Sequence, residues 1–149
     1  PDKFGIKFWL ACDLKSKFGI NGFPYLGKDA TKESSVSLAE FVVLKLMEPY
    51  TYSGRNVTTD NFFTSLSLAS KLLEKGTTLV GTVRANKKEL PQLAKQRKYS
   101  LPRFSSVIYR TNNATLTIYK SKPSKKVVLL STKHNSVSIV KVKKICLKL

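Results

Sequence analysis

The chain has 149 residues, 42% of them hydrophobic, and carries 27 Lys+Arg against 9 Asp+Glu, a net charge of +18. That length fits one domain able to bury roughly 70% of its unfolded surface, and the ordinary apolar and aromatic content argues against global disorder. No apolar run approaches the roughly 20 residues that a membrane span needs. The two cysteines, Cys12 and Cys146, make neither a disulfide framework nor a zinc spacing, so a reducing compartment, nucleus or cytosol, is expected. The sequence opens on Pro1 with no signal-type segment before it and reads as a processed chain or a fragment.

The charge is uneven. Residues 1–75 hold 10 basic and 8 acidic side chains, a net +2, whereas residues 76–149 hold 17 and 1, a net +16. A near-neutral half joined to a strongly basic one points to a polyanion, with nucleic acid favoured over a solvated basic surface or an anionic membrane. Such binding would weaken steeply with salt, because each neutralised phosphate releases a condensed counterion.

Residues 4–12 alternate loosely and are rich in aromatic and branched side chains, which predicts a strand, and residues 19–27 read as its partner. Ser37-Leu-Ala-Glu40 is a capping-box pattern opening a helix that is apolar over a wide arc and stops at Pro49. A short strand is expected over 55–59, ending at Asp60. A second helix follows from about Ser65 to Lys75, with Leu68, Ala69, Leu72 and Leu73 on one face and Gly76 as its stop. Thr77 to Val83 reads as another strand, giving the order β-β-α-β-α-β of an α/β layer arrangement. Residues 86–98 are basic, with room for one short helix. Residues 105–121 read as a hairpin about Asn112-Asn113, and 126–132 and 137–142 as two further strands. The composition shift near residue 84 marks a module edge.

Catalytic signatures are scarce: no Gly-rich phosphate loop, no Gly-x-Ser-x-Gly elbow and no His-Glu-x-x-His. The lone His134 lies in a polar loop and reads as solvated; a Cys12–His134 or Ser–His134 pair has no third group to orient it. The sequons at Asn56 and Asn113 read as chance matches without a secretory signal. Asp60 stands out. An acid at the end of a strand and just before a helix is where an α/β fold presents a ligand-binding carboxylate. Paired Mg²⁺ ions of nucleases and polymerases use such hard oxygen ligands. On spacing alone, an Asp in that place is more often a cap, accepting backbone N–H bonds.

Around these residues a family resemblance emerges. Pro1-Asp-Lys-Phe-Gly-Ile-Lys-Phe-Trp9, Thr59-Asp-Asn-Phe-Phe-Thr-Ser65 with its continuation to Leu73, Leu79-Val-Gly-Thr-Val-Arg-Ala-Asn-Lys-Lys-Glu-Leu-Pro91 and Tyr119–Ser131 together resemble the piggyBac transposases, in order, over about residues 1–135. The resemblance implies an α/β, ribonuclease-H-like mixed sheet with flanking helices, incomplete here, over residues 1–84. A basic β-rich insertion region would follow over 85–149, with a divergent tail from about 140. It implies cut-and-paste DNA transposition, a nuclear location, Mg²⁺ as cofactor, DNA as partner and a homodimer, with neither a membrane nor a small-molecule substrate involved. It makes Asp60 the second of three metal-binding aspartates. The first would lie on a strand upstream of Pro1, leaving a sheet edge unpaired, and the third in a Gly-Gly-Val-Asp segment that this sequence lacks. Asp2, Asp13 and Asp29 flank the early hairpin and do not substitute. The expectation is therefore a chain inactive by itself, with a host-adopted DNA-binding module or an untranslated relic as alternatives. DNA backbone contacts are expected from Arg84, Lys87, Lys88, Lys95, Arg97 and Lys98 as one cluster, and from Lys120, Lys122, Lys125 and Lys126 as another.

Overall fold

The computed structural model describes residues 5–27, 32–96 and 101–134. The expected strand over 137–142 and the candidate contacts Arg97 and Lys98 lie outside the described residues.

Strands β1 (Phe8–Cys12) and β2 (Gly19–Pro24) form an antiparallel hairpin with a register shift between Ala11 and Cys12. Its turn is closed by Asp13, whose Oδ2 accepts from both the backbone N–H and the hydroxyl of Ser16 at 2.7 Å. Helix α1 (Leu38–Met47) follows. Its first turn is capped as the sequence predicts, Ser37 Oγ accepting from Glu40 N at 3.2 Å. The Glu40 carboxylate does not make the reciprocal half of a capping box. It crosses to the second helix, α2 (Leu66–Glu74), accepting from Ser67 Oγ at 3.1 Å and pairing with Lys71 Nζ at 2.7 Å. Val42, Val43, Leu46 and Met47 are buried together with Glu40, so the wide apolar arc does face the interior. After Met47 the chain tightens into a 3-10 turn over Glu48–Tyr50, with Pro49 inside it. A proline lacks the N–H that would continue the α-helix.

The hairpin is tied down on α1 and the 3-10 turn after it by polar bonds as well as apolar contact. Asn21 Nδ2 donates to the Leu46 carbonyl at 2.8 Å and the Tyr50 hydroxyl donates to the Ile20 carbonyl at 2.7 Å.

Strand β3 (Asn56–Thr59) lies parallel to β4 (Thr78–Thr82), with α2 as the crossover between them. Ser65 Oγ caps α2 through Leu68 N at 3.1 Å. At the far end Gly76, at φ 61°, turns the chain so that its N–H reaches Leu73 O at 2.9 Å and Thr77 N reaches Leu72 O at 2.9 Å. A left-handed residue at this place satisfies carbonyls that the helix leaves free, and glycine adopts it at least cost.

Helix α3 (Gln92–Lys95) is one turn long. Strands β5 (Ser106–Arg110), β6 (Thr115–Lys122) and β7 (Lys125–Ser131) then form an antiparallel meander. The turn between β5 and β6 runs through Asn112-Asn113 as expected, closed by Thr111 N on Ala114 O at 2.8 Å. β7 pairs antiparallel with β4, so the strands on either side of residue 84 share one five-stranded mixed sheet in the order β3-β4-β7-β6-β5. Leu68 and Leu72 of α2 meet Leu79, Ile118 and Leu130 of the sheet in the core, each with 1% exposure or less. Each such side chain contributes about 1.5–3 kcal/mol by leaving water. No helix among the described residues is long and apolar enough to cross a membrane.

Among the described residues β1 pairs only with β2, and β3 only with β4. Between the two lies a groove of about 430 Å³, walled by Leu10, Ala11 and Cys12 on one side and Asn56 to Asp60 on the other, with Val43, Leu46 and Met47 of α1 also lining it.

Candidate functional site

Asp60 sits at the C-terminal end of β3, exposed, at one end of this groove. Its position is set by four local bonds. Oδ1 accepts from Phe62 N at 3.0 Å and from Phe63 N at 3.4 Å, while the backbone carbonyl accepts from Thr64 N at 3.1 Å and Thr64 Oγ1 at 2.6 Å. Asp60 therefore does cap the turn that leads into α2, an arrangement in which an Asp side chain mimics a backbone turn. A cap of this kind leaves the second carboxylate oxygen for another partner, so the two readings of this residue are compatible in one geometry.

The turn is clamped from below. Thr59 and Thr64 bring their hydroxyls to 2.7 Å of each other over Gly81, the residue opposite Thr59 in the β3–β4 register. A methyl group on Gly81 would meet Thr64 Oγ1 and would lie 2.6 Å from the Thr59 carbonyl. Absence of a side chain is thus required of Gly81 for the Asp60 turn to close on the sheet. Neither the threonine pair nor Gly81 was visible as part of the site in the sequence; the signal available was a glycine inside a strand, which often marks close backbone approach.

The two residues whose N–H groups bond the carboxylate carry aromatic rings that cluster with Trp9. Trp9 and Phe62 are nearly parallel, with centroids 6.4 Å apart and planes at 10°. Phe63 is edge-on to both, at 5.7 and 5.0 Å. Two cations border them: Lys7 Nζ lies 4.1 Å from the Trp9 ring centroid, and the Arg84 guanidinium 5.5 Å from that of Phe62. Arg84 is held there by Nε donating to Asn61 Oδ1 at 3.0 Å. Arg84, one of the basic positions named from the sequence, is thereby tied to the turn that follows Asp60, through Asn61 and Phe62.

The others divide by what their ammonium groups do. Lys88, Lys122 and Lys125 are exposed, with Lys122 and Lys125 facing each other across the β6–β7 turn, and Lys87 is half-buried. Lys95 Nζ donates to the Lys88 carbonyl and Lys120 Nζ to the Leu101 carbonyl, both at 2.6 Å. Lys126 Nζ donates to Leu93 O at 2.9 Å and Gln96 O at 2.5 Å, fastening α3 and the residue after it to β7. Desolvation in that position lowers the Lys126 pKa below its ordinary value. These three lysines thus bridge strands and loops as well as adding charge.

His134 is exposed, and its Nδ1 lies 2.8 Å from Ser131 Oγ. That hydroxyl oxygen also accepts from Lys133 N and His134 N, at 3.2 and 3.1 Å, the pattern of a turn closure. Asp13 lines the same groove as Asp60, and its Ser16 bonds lower its pKa below the usual value. No three His, Cys, Asp or Glu side chains among the described residues are grouped to hold a metal ion. The described residues alone therefore do not make a two-cation site.

Residues 1–145 match the family model described as Transposase IS4. The chain belongs to the piggyBac-type transposase family. Among solved structures it is similar to the piggyBac transposase in its synaptic complex with hairpin DNA, with 43% sequence identity and a TM-score of 0.84. That match covers 95% of this chain and 30% of the solved one, so the chain spans under a third of the length of the transposase it matches. The mixed sheet with flanking helices is the ribonuclease-H-like arrangement expected from the sequence. A divalent metal is implied for a family of this type.

Proposed function

We propose that this chain is the part of a piggyBac-type transposase core that presents Asp60 to DNA. The observation that carries the reading is the coincidence of a family match over residues 1–145 with a carboxylate fixed by backbone N–H bonds at the end of β3. In this reading Asp60 contributes one ligand to a divalent cation, Mg²⁺, whose further carboxylates come from outside the described residues. The reaction class is DNA cleavage and strand transfer during transposition. Arg84, Lys87, Lys88, Lys122 and Lys125 hold the DNA backbone, and Lys95, Lys120 and Lys126 add to the field while bracing the fold. Pairing as a homodimer and a nuclear location belong to the same reading, since the solved relative is a synaptic complex on DNA.

By itself the chain is proposed to be inert. One carboxylate supplies too little of the anionic, hard-oxygen ligand set that a pair of Mg²⁺ ions requires. The test is a nicking and joining assay of the purified 149-residue chain with Mg²⁺. No product is expected; product that disappears in Asp60→Ala would overturn the proposed inertness while supporting the role of Asp60. Absence of any salt-sensitive DNA binding would overturn the DNA reading itself.

A further inference from the structure

We infer that the Phe62 ring is a stacking platform for an unpaired DNA base next to Asp60. The inference rests on the DNA reading above and goes beyond it, because backbone contacts take duplex and single strand alike whereas a ring face takes only a base that has left its stack.

Phe62 lies two residues beyond Asp60, and its backbone N–H is one of those bonded to the Asp60 carboxylate, so the backbone that carries the ring is tied to the carboxylate. Phe62 as a residue keeps 38% exposure although Trp9 and Phe63 pack around its ring. Those neighbours set its orientation: Trp9 lies nearly parallel and Phe63 is perpendicular. An exposed aromatic held this way has already lost the rotamer freedom that binding would otherwise take away. Trp9 Nε1 is buried with no hydrogen-bond partner among the described residues, so the indole is held by its ring faces and edges and not by its N–H.

The electrostatics suit a nucleotide. The Arg84 guanidinium lies over the Phe62 ring at 5.5 Å from its centroid, and Lys7 Nζ lies over the Trp9 and Tyr25 rings at 4.1 and 5.4 Å, so cations sit against the aromatic row where a strand's phosphates would be attracted. Interleaving of rings and cations is how single-stranded nucleic acid is held without reading its sequence. Lys7 and Trp9 come from the β1 side and Arg84 from the end of β4, so the row exists only once the hairpin has docked.

Trp9 is the single tryptophan of the chain, and its fluorescence reports on the platform directly. The experiment titrates the full chain with a short oligothymidylate and with a blunt duplex of the same length, in wild type and in Phe62→Leu, which keeps an apolar side chain against Trp9 and Phe63 but removes the π face. Single strand should quench Trp9 more strongly than duplex. Phe62→Leu should weaken single-strand binding by about 5- to 100-fold, the usual range for one base–aromatic stack, and leave duplex affinity within about twofold. Phe62→Trp should retain the single-strand affinity, which a merely structural role for the ring would not predict. An equal loss on both DNAs, or no loss on either, would overturn the platform while leaving the DNA reading in place. Failure of wild type to bind either DNA would overturn both.

Discussion

Gly81 lies directly across from Thr59 in the parallel β3–β4 pair, and the space where its side chain would be is occupied by the Thr59–Thr64 hydroxyl bridge beneath the Asp60 turn. Backbone on one side and a turn on the other leave nothing that can yield cheaply. Gly81→Ala should therefore destabilise the fold by about 1–3 kcal/mol, the usual cost of forcing atoms into a packed site. It should also displace Asp60. Denaturant unfolding measures the first effect and amide shifts of residues 60–64 the second; unchanged shifts would show that the turn does not depend on this contact.

Substitutions at Asp60 separate its two roles. Asn accepts the same N–H bonds as Asp in a capping position, whereas Ala cannot. Asp60→Asn should leave stability within about 0.5 kcal/mol of wild type and Asp60→Ala should lower it by about 1 kcal/mol. In a protein that supplies the remaining carboxylates, both should abolish metal-dependent cleavage. Thermal unfolding beside a cleavage assay distinguishes the roles.

The Glu40–Lys71 pair joins α1 to α2, and its dependence on pH has a defined sign. The hydrogen bond and charge of Glu40 raise the Lys71 pKa above 10.5. The stabilisation is complete below the unfolded-state pKa and disappears as pH rises through the higher folded-state value. The stability difference between wild type and Lys71→Met should thus be constant near neutrality and shrink above about pH 10.5. A difference that grew with pH would contradict the pairing.

Lys126 has the opposite sign. Desolvation lowers its pKa, so the unfolded chain binds the proton more tightly and this group's contribution to stability rises with pH between the lowered value and 10.5. Its ammonium still satisfies the Leu93 and Gln96 carbonyls. Lys126→Met should cost about 1–3 kcal/mol by leaving those acceptors unpaired, measurable by urea denaturation.

On DNA the exposed lysines should behave differently. Lys122→Ala and Lys125→Ala should each reduce the slope of log affinity against log salt by about 0.9 for a lost phosphate contact, with stability nearly unchanged. A slope unaffected by both would remove the β6–β7 turn from the DNA surface.

Much of this protein was legible in the linear chain because the signals are local. Ser37 and Ser65 announce their helices through a hydroxyl that reaches only three residues ahead, and Gly76 ends α2 through a backbone angle that other residues adopt at a cost. The order β-β-α-β-α-β and the meander that follows needed only periodicity and turn residues, and the Asp-Asn-Phe-Phe-Thr-Ser segment carried the family. What the chain could not disclose was everything that depends on distant residues meeting. Glu40 looked like half of a capping box, yet its carboxylate turns to Ser67 and Lys71, 27 residues and more away in sequence, where a buried charge finds both a donor and a counter-ion. Lys126 read as surface charge until α3 supplied carbonyls for it. The pairing of β4 with β7, the groove left between β1 and β3, and the ring of Trp9 lying beside Phe62 near Asp60 are likewise products of tertiary packing. Local propensity fixes where an element begins and ends; which edges, rings and charges then face one another is decided by how the elements bury their apolar sides together.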